Sequence, residues 1–122
     1  MYANSLTVST QTYDLISSFP TNSVRRDATY SITNPHEVLI SQETFKDGRK
    51  SAGVVFKDTT ITDSISCPDT KIRDAVSAMV KVQFNPLSSR ADIEADLNAQ
   101  LDLLVAFLGV ADNRTKLING EV

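Results

Sequence analysis

A chain of 122 residues with 41% hydrophobic and 22% charged residues is the right size for one globular domain, too short for a persuasive pair and too apolar for a disordered segment. Its single cysteine, Cys67, excludes an intrachain disulfide and a cysteine-rich metal site, so packing must supply the stability. The net charge of −3 is unevenly spread: residues 1–87 hold nine Lys/Arg and nine Asp/Glu, residues 88–122 three and six. A neutral N-terminal part with an acidic tail lacks the basic footprint usual in nucleic-acid binders. No run approaches the roughly 20 apolar residues that span a bilayer, and Met1-Tyr2-Ala3-Asn4 lacks the basic-then-apolar order of a secretory signal, so no membrane partner is expected.

From Asn4 to Phe84 short runs rich in Thr, Val, Ile, Ser and Tyr alternate with turn signals, which predicts six or seven antiparallel strands. Leu6-Thr7-Val8 and Tyr13 to Ile16 read as a hairpin across Ser9-Thr10-Gln11-Thr12. Ser17 to Ser23, with Pro20, reads as a loop, Asp27 to Thr33 as a strand, and Asn34-Pro35 as a turn.

Val38 to Lys46 and Arg49 to Lys57 flank Asp47-Gly48, a strong signal for a two-residue type I′ hairpin with Lys46 opposite Arg49. That register puts Leu39, Ser41, Ala52, Val54 and Phe56 on one face, the expected core side. Ile40, Gln42, Thr44, Ser51, Val55 and Lys57 then share the other. A short run at Thr59 to Ser64 and a loop through Cys67-Pro68-Asp69 follow. In the strand Ala75 to Phe84, Ala78, Val80, Val82 and Phe84 point one way, and Ser77, Met79, Lys81 and Gln83 the other.

At Pro86 the period changes to about 3.6 residues, which predicts a helix over Arg90 to Leu108 capped by Ser89. Ile93, Leu97, Leu101, Leu104 and Leu108 form a stripe, and from Leu103 to Leu108 every residue is apolar. Gly109 should stop this helix; a second, capped by Asp112, should run through Leu117-Ile118 to Asn119-Gly120. Strands followed by helices give an α+β fold. One subunit of this size has little to cover both a wide sheet and an apolar helix end, so a homodimer is expected, with Leu97, Leu101, Leu104, Phe107 and Leu108 at its interface.

The order of elements resembles the coat proteins of the single-stranded RNA bacteriophages, the levivirus group. The resemblance spans nearly the whole chain and rests on Leu39-Ile40-Ser41-Gln42-Glu43 leading into Asp47-Gly48, the strand Lys71 to Phe84, and Leu101 to Val122 ending in Leu117-Ile118-Asn119-Gly120-Glu121. It implies an N-terminal β-hairpin, a five-stranded antiparallel sheet and two C-terminal helices that pack across the dimer mate, all within one domain of residues 1–122. It further implies dimers closing into an icosahedral shell around genomic RNA, helices outside and sheet inside. The virion would assemble in the host bacterial cytoplasm, with the loop from about Asp63 to Thr70 around the symmetry axes.

Many members of that family bind a hairpin of their genome, which represses replicase translation. The RNA-facing side chains expected here are Gln42, Thr44, Arg49, Ser51, Lys57, Lys81 and Gln83, with the three cations on phosphates and the rest on sugars or base edges. Where familiar members carry a stacking aromatic on the last strand, this chain has Ser77 and Met79, so non-specific genome contact is the expectation.

Other features favour ordinary structural readings. His36, the only histidine, reads as a turn residue, and Asp92, Glu94 and Asp96 as partners of a helix dipole. Cys67 should stay mostly reduced, and the sequon Asn113-Arg114-Thr115 unmodified. With no nucleophile elbow, phosphate-binding glycine loop or metal-ligand spacing, neither an enzyme nor a cofactor is expected. The competing reading is a small homodimeric α+β binding module that uses the sheet face as a ligand platform.

Overall fold

The computed structural model describes residues 2–27, 35–67 and 69–122. The chain divides into two compact units, Met1–Asn85 and Pro86–Val122, close to the break in charge and periodicity. The first unit is an antiparallel meander among the described residues: β1 (Ser5–Val8), β2 (Gln11–Phe19), β3 (Asn22–Asp27), β4 (His36–Thr44), β5 (Lys50–Asp63) and β6 (Lys71–Phe84), paired in that order. The N-terminal hairpin is thus continuous with the sheet, giving six strands in one sheet rather than a hairpin beside five.

Ser9 and Thr10 alone connect β1 to β2, with Ser9 at φ 55° and Val8 opposite Gln11. The expected loop from Ser17 to Ser23 is instead mostly strand. β2 continues to Phe19, turns at Pro20 and Thr21, and returns as β3, with a register shift between Leu15 and Ser17 taking up the irregularity. Apart from Asp27, which ends β3, the strand expected over Asp27 to Thr33 lies outside the described residues. Thr59 to Asp63 continue β5 rather than forming a strand of their own, and β6 starts at Lys71 rather than Ala75.

The β4–β5 hairpin corrects the expected register. The Phe45 N–H donates to the Arg49 carbonyl at 2.8 Å, and the Gly48 N–H to the Phe45 carbonyl at 3.0 Å. Gly48 has φ 89°, whereas Asp47 is not among the described residues with positive φ. A type I′ turn needs positive φ at both central residues, so Lys46, Asp47 and Gly48 instead form a type I turn closed by a left-handed glycine. Thr44 therefore pairs with Lys50, and Leu39 with Val55. One residue of slip exchanges the faces of β4 relative to β5.

The apolar face is built from the rows Val38–Phe56–Ala78, Ile40–Val54–Val80 and Gln42–Ala52–Val82. Leu39 and Ser41, expected on the core side, belong to the opposite face. Val38, at 0% exposure, and Tyr13, at 6%, are the buried hydrophobic side chains among the described residues. The Tyr13 ring meets Phe56 edge-on at 6.2 Å. Burial, and after it the carboxylates of Asp27 and Asp58, push the Tyr13 hydroxyl above its ordinary range. Arg25, 1% exposed on this same face, donates to the Ala3 and Tyr2 carbonyls and to Ser23 Oγ, tying down the segment before β1.

The second unit holds α1 (Ile93–Leu108) and α2 (Ala111–Ile118). Asp92, not Ser89, caps α1: its carboxylate accepts from the Ala95 N–H at 3.0 Å, with Glu94 and Asp96 in the first turn. Gly109 is the C-cap, in a right-handed conformation at φ −68°. α2 begins one residue before the expected cap, with Val110 at the N-cap position and Asp112 in the first turn, ion-paired to Lys116 at 2.9 Å. No residue of either helix is buried. An unburied helix of this apolar character lacks the packing that stabilises most helices in proteins.

Candidate nucleic-acid interface

Cross-strand pairing assigns each expected site residue to a face. Ser51 pairs with Gln83, Gly53 with Lys81 and Lys57 with Ser77, so Ser51, Lys57, Lys81 and Gln83 share the polar face. Gln42 and Thr44 do not: they pair with Ala52 and Lys50 on the apolar face, and the Gln42 amide is engaged by the Pro20 carbonyl at 3.2 Å. The expected set of seven is therefore divided by the corrected hairpin register. Arg49 lies in the hairpin loop, where its Nε donates to Asp47 Oδ2 at 2.7 Å and its guanidinium stands 5.3 Å from the centre of the Phe45 ring. The Arg49 backbone N–H, and after it the Arg49 side chain, hold the Asp47 carboxyl below the usual carboxylate range.

Cations are distributed over the polar face in a way that leaves some available. Arg26 Nε meets Glu37 at 2.7 Å, which occupies the carboxylate lying opposite Lys57 in the ladder. At the far end of β5 and β6, Lys71 pairs with Asp63. Among the described residues Lys57, Arg73 and Lys81 form no ion pair, and all three are exposed. Arg73 was not among the expected residues. Continuing the two-residue alternation of β6 back from Lys81 would have found it, since the strand extends to Lys71.

Between Ser41 and Lys81 the face is shallow, because Gly53 has no side chain. A Cβ built there would meet the Val80 carbonyl at 3.4 Å and Lys81 Cγ at 3.9 Å, ordinary contacts, so packing alone does not demand this glycine. Ser51 beside it is 2% exposed, and its hydroxyl oxygen has no hydrogen-bond partner. A flat floor and three unpaired cations can hold an anionic chain through its phosphates while offering little that reads a base, whereas the buried Ser51 hydroxyl is out of a ligand's reach. Met79, 65% exposed, occupies the row between Lys57 and Lys81.

The remaining candidates behave as structural residues. His36 is the first residue of β4, its Nδ1 3.5 Å from Asp58 Oδ1 on the apolar face. Cys67 is exposed in the loop between β5 and β6, where its N–H donates to Ser64 Oγ. No cluster of metal-ligating side chains occurs among the described residues.

The chain's fold matches solved structures over nearly its whole length. A virus-like particle of Beihai levi-like virus 21 superposes with a TM-score of 0.74, covering 100% of this chain and 98% of that one at 8% identity. The coat-protein fold of the levi-like viruses is present here. A virus-like particle of bacteriophage AVE019 has the same coat-protein fold, at TM-score 0.69 and 14% identity over 95% of this chain and 92% of that one. A virus-like particle of Wenzhou levi-like virus 1 matches at 0.67 and 17% identity, over the full length of both chains. No family model matches the sequence. No curated protein matches it either. The likeness is carried by topology and the order of elements.

Proposed function

We propose that this chain is the shell-forming coat protein of a single-stranded RNA bacteriophage. Homodimers would assemble in the bacterial cytoplasm into a closed particle whose polar sheet face lines the RNA. The observation that carries this reading is agreement over the full length of this chain with solved virus-like particles of levi-like viruses.

The chain's own chemistry supports the reading. Lys57, Arg73 and Lys81 give the polar face unpaired positive charge, while the acidic excess sits in the helical unit. Like charge is thereby kept off the surface that meets phosphates. In the assembled state a second copy covers Leu97, Leu101, Leu104, Phe107 and Leu108 of α1. In the single chain Phe107 is 51% exposed and none of the five is buried.

Expression of the chain alone, followed by electron microscopy and the ratio of absorbance at 260 and 280 nm, tests the proposal. Uniform closed particles rich in nucleic acid are expected. A small oligomer that carries no RNA under any condition overturns it and leaves the ligand-platform reading standing.

A further inference from the structure

Strand β2 changes faces part-way along. Tyr13 pairs with Asp27 and Leu15 with Arg25, and Arg25 pairs with Val38, so the first half of β2 sends its odd residues to the apolar face. The register shift between Leu15 and Ser17 adds one residue, and beyond it Ser17 pairs with Val24 and Phe19 with Asn22. Val24 and Asn22 pair in turn with Leu39 and Ser41 of the polar face, so the bulge re-aims Phe19 onto that face. Uninterrupted alternation would have sent Phe19 the way of Tyr13 and Leu15. Resting on the RNA-lining face proposed above, we infer that Phe19 is a stacking surface for one unpaired base of the RNA.

A lone exposed apolar side chain needs no explanation. Phe19 is set apart by access, by fixation and by its neighbours. It is 63% exposed, and no aromatic ring or cation lies over it among the described residues, whereas the Phe45 ring carries the Arg49 guanidinium. The turn that follows it, Pro20 and Thr21, is pinned to β4 by Gln42. The Gln42 backbone N–H donates to the Thr21 carbonyl at 2.8 Å, and its side-chain amide to the Pro20 carbonyl at 3.2 Å. A ring beside a pinned turn has less freedom left to lose when a base covers it.

The neighbours suit a nucleotide. Phe19, Asn22, Ser41, Gly53 and Lys81 form one row across β2 to β6. Asn22 and Ser41 are exposed, and neither side chain hydrogen-bonds within the protein among the described residues. At a strand spacing of about 4.8 Å they stand about 5 and 10 Å along the row from Phe19, within reach of the ribose and base edge of a stacked nucleotide. Gly53, without a side chain, keeps the path beyond them low, and Lys81 waits at its end for a phosphate further along the chain. The RNA therefore crosses the strands rather than following them.

A base can lay its face on a ring only when it has left the helix, where its neighbours already cover both faces. Phe19 thus favours unpaired RNA over duplex. Because every base has such a face, it favours no sequence. The ring stands on β2, at the other end of the row order from the ringless Ser77 and Met79 of β6.

Titration of soluble, unassembled protein with a single-stranded uridine homopolymer, and with an RNA duplex of equal total charge, tests this at several salt concentrations. Phe19→Ala is expected to weaken single-strand binding at least about fivefold, the lower end of what a stacked base contributes. Duplex binding and the salt slope should match the parent, since no phosphate contact is touched. Phe19→Tyr, which keeps a ring, should retain the parent affinity. If Phe19→Ala folds poorly, photo-cross-linking of the parent chain to 5-iodouridine RNA, mapped by mass spectrometry, is expected to mark Phe19. No loss in Phe19→Ala, an equal loss on single strand and duplex, or cross-links that avoid Phe19 overturn the stacking surface and leave the RNA-lining face standing. A parent chain that binds neither RNA overturns that face as well.

Discussion

Two residues of the sheet unit, one in a hairpin loop and one on a strand, define what single side chains contribute. The Asp47 carboxylate accepts from the backbone N–H and the guanidinium of Arg49, which favours its charged form and holds its pKa below the usual value. A lowered carboxyl pKa contributes stability that is fully present above about pH 4, the ordinary value, and is lost as pH falls through the folded-state value. Urea denaturation of Asp47→Asn should therefore show a shallower loss of stability below about pH 4 than the parent, with the two curves parallel above it. Arg25 works through burial. Its guanidinium sits 1% exposed and donates to the carbonyls of Tyr2 and Ala3 and the Ser23 hydroxyl, so Arg25→Ala removes the donors of these acceptors as well as filling atoms. A loss of about 2–3 kcal/mol is expected by urea denaturation, with faster proteolysis ahead of β1.

At the scale of elements, the hairpin between β4 and β5 decides which side chains share a face. Gly48 at φ 89° closes its loop, and an L side chain there is strained by about 1–2 kcal/mol. Gly48→Ala should lower the thermal midpoint accordingly, whereas Gly53→Ala, with room for a Cβ and no positive φ, should leave it nearly unchanged. Equal losses at the two positions would refute this account of the turn. The same hairpin marks where sequence reasoning reaches its limit. Asp47-Gly48 announces a turn, and the alternation of Ala78, Val80, Val82 and Phe84 announces a face, because both signals are local. Whether a left-handed glycine is the second or the third residue of a loop is a matter of backbone geometry that the dipeptide does not encode. That one-residue difference sent Gln42 and Thr44 to the apolar face and left Lys57, Lys81, Ser51 and Gln83 on the other. In the helices the period gave α1 and its stripe, but the cap fell to Asp92 rather than to the expected Ser89, because the helix starts nearer the apolar run.

For the whole molecule, the account joins an exposed apolar helix to a face with unpaired cations. Backbone contacts dominate such an interface, so charge reversal should act on the amount of RNA rather than on its sequence. Particles of the Lys57→Glu, Lys81→Glu double variant are expected to hold less RNA and to lose it at lower salt, read by absorbance ratio and gel mobility. Unchanged RNA content would remove these residues from the interface. Of the candidate site, alternation placed Lys57 and Lys81 on one strand face but missed Arg73, because β6 begins earlier than expected, while the identity of the fold needed the order of all its elements.

The central claim is that one chain is completed by a second, and native mass spectrometry of soluble, unassembled protein at high dilution tests it most directly. The account predicts a smallest folded species of twice the 13.3 kDa chain mass. A compact, folded species at the mass of one chain would contradict it.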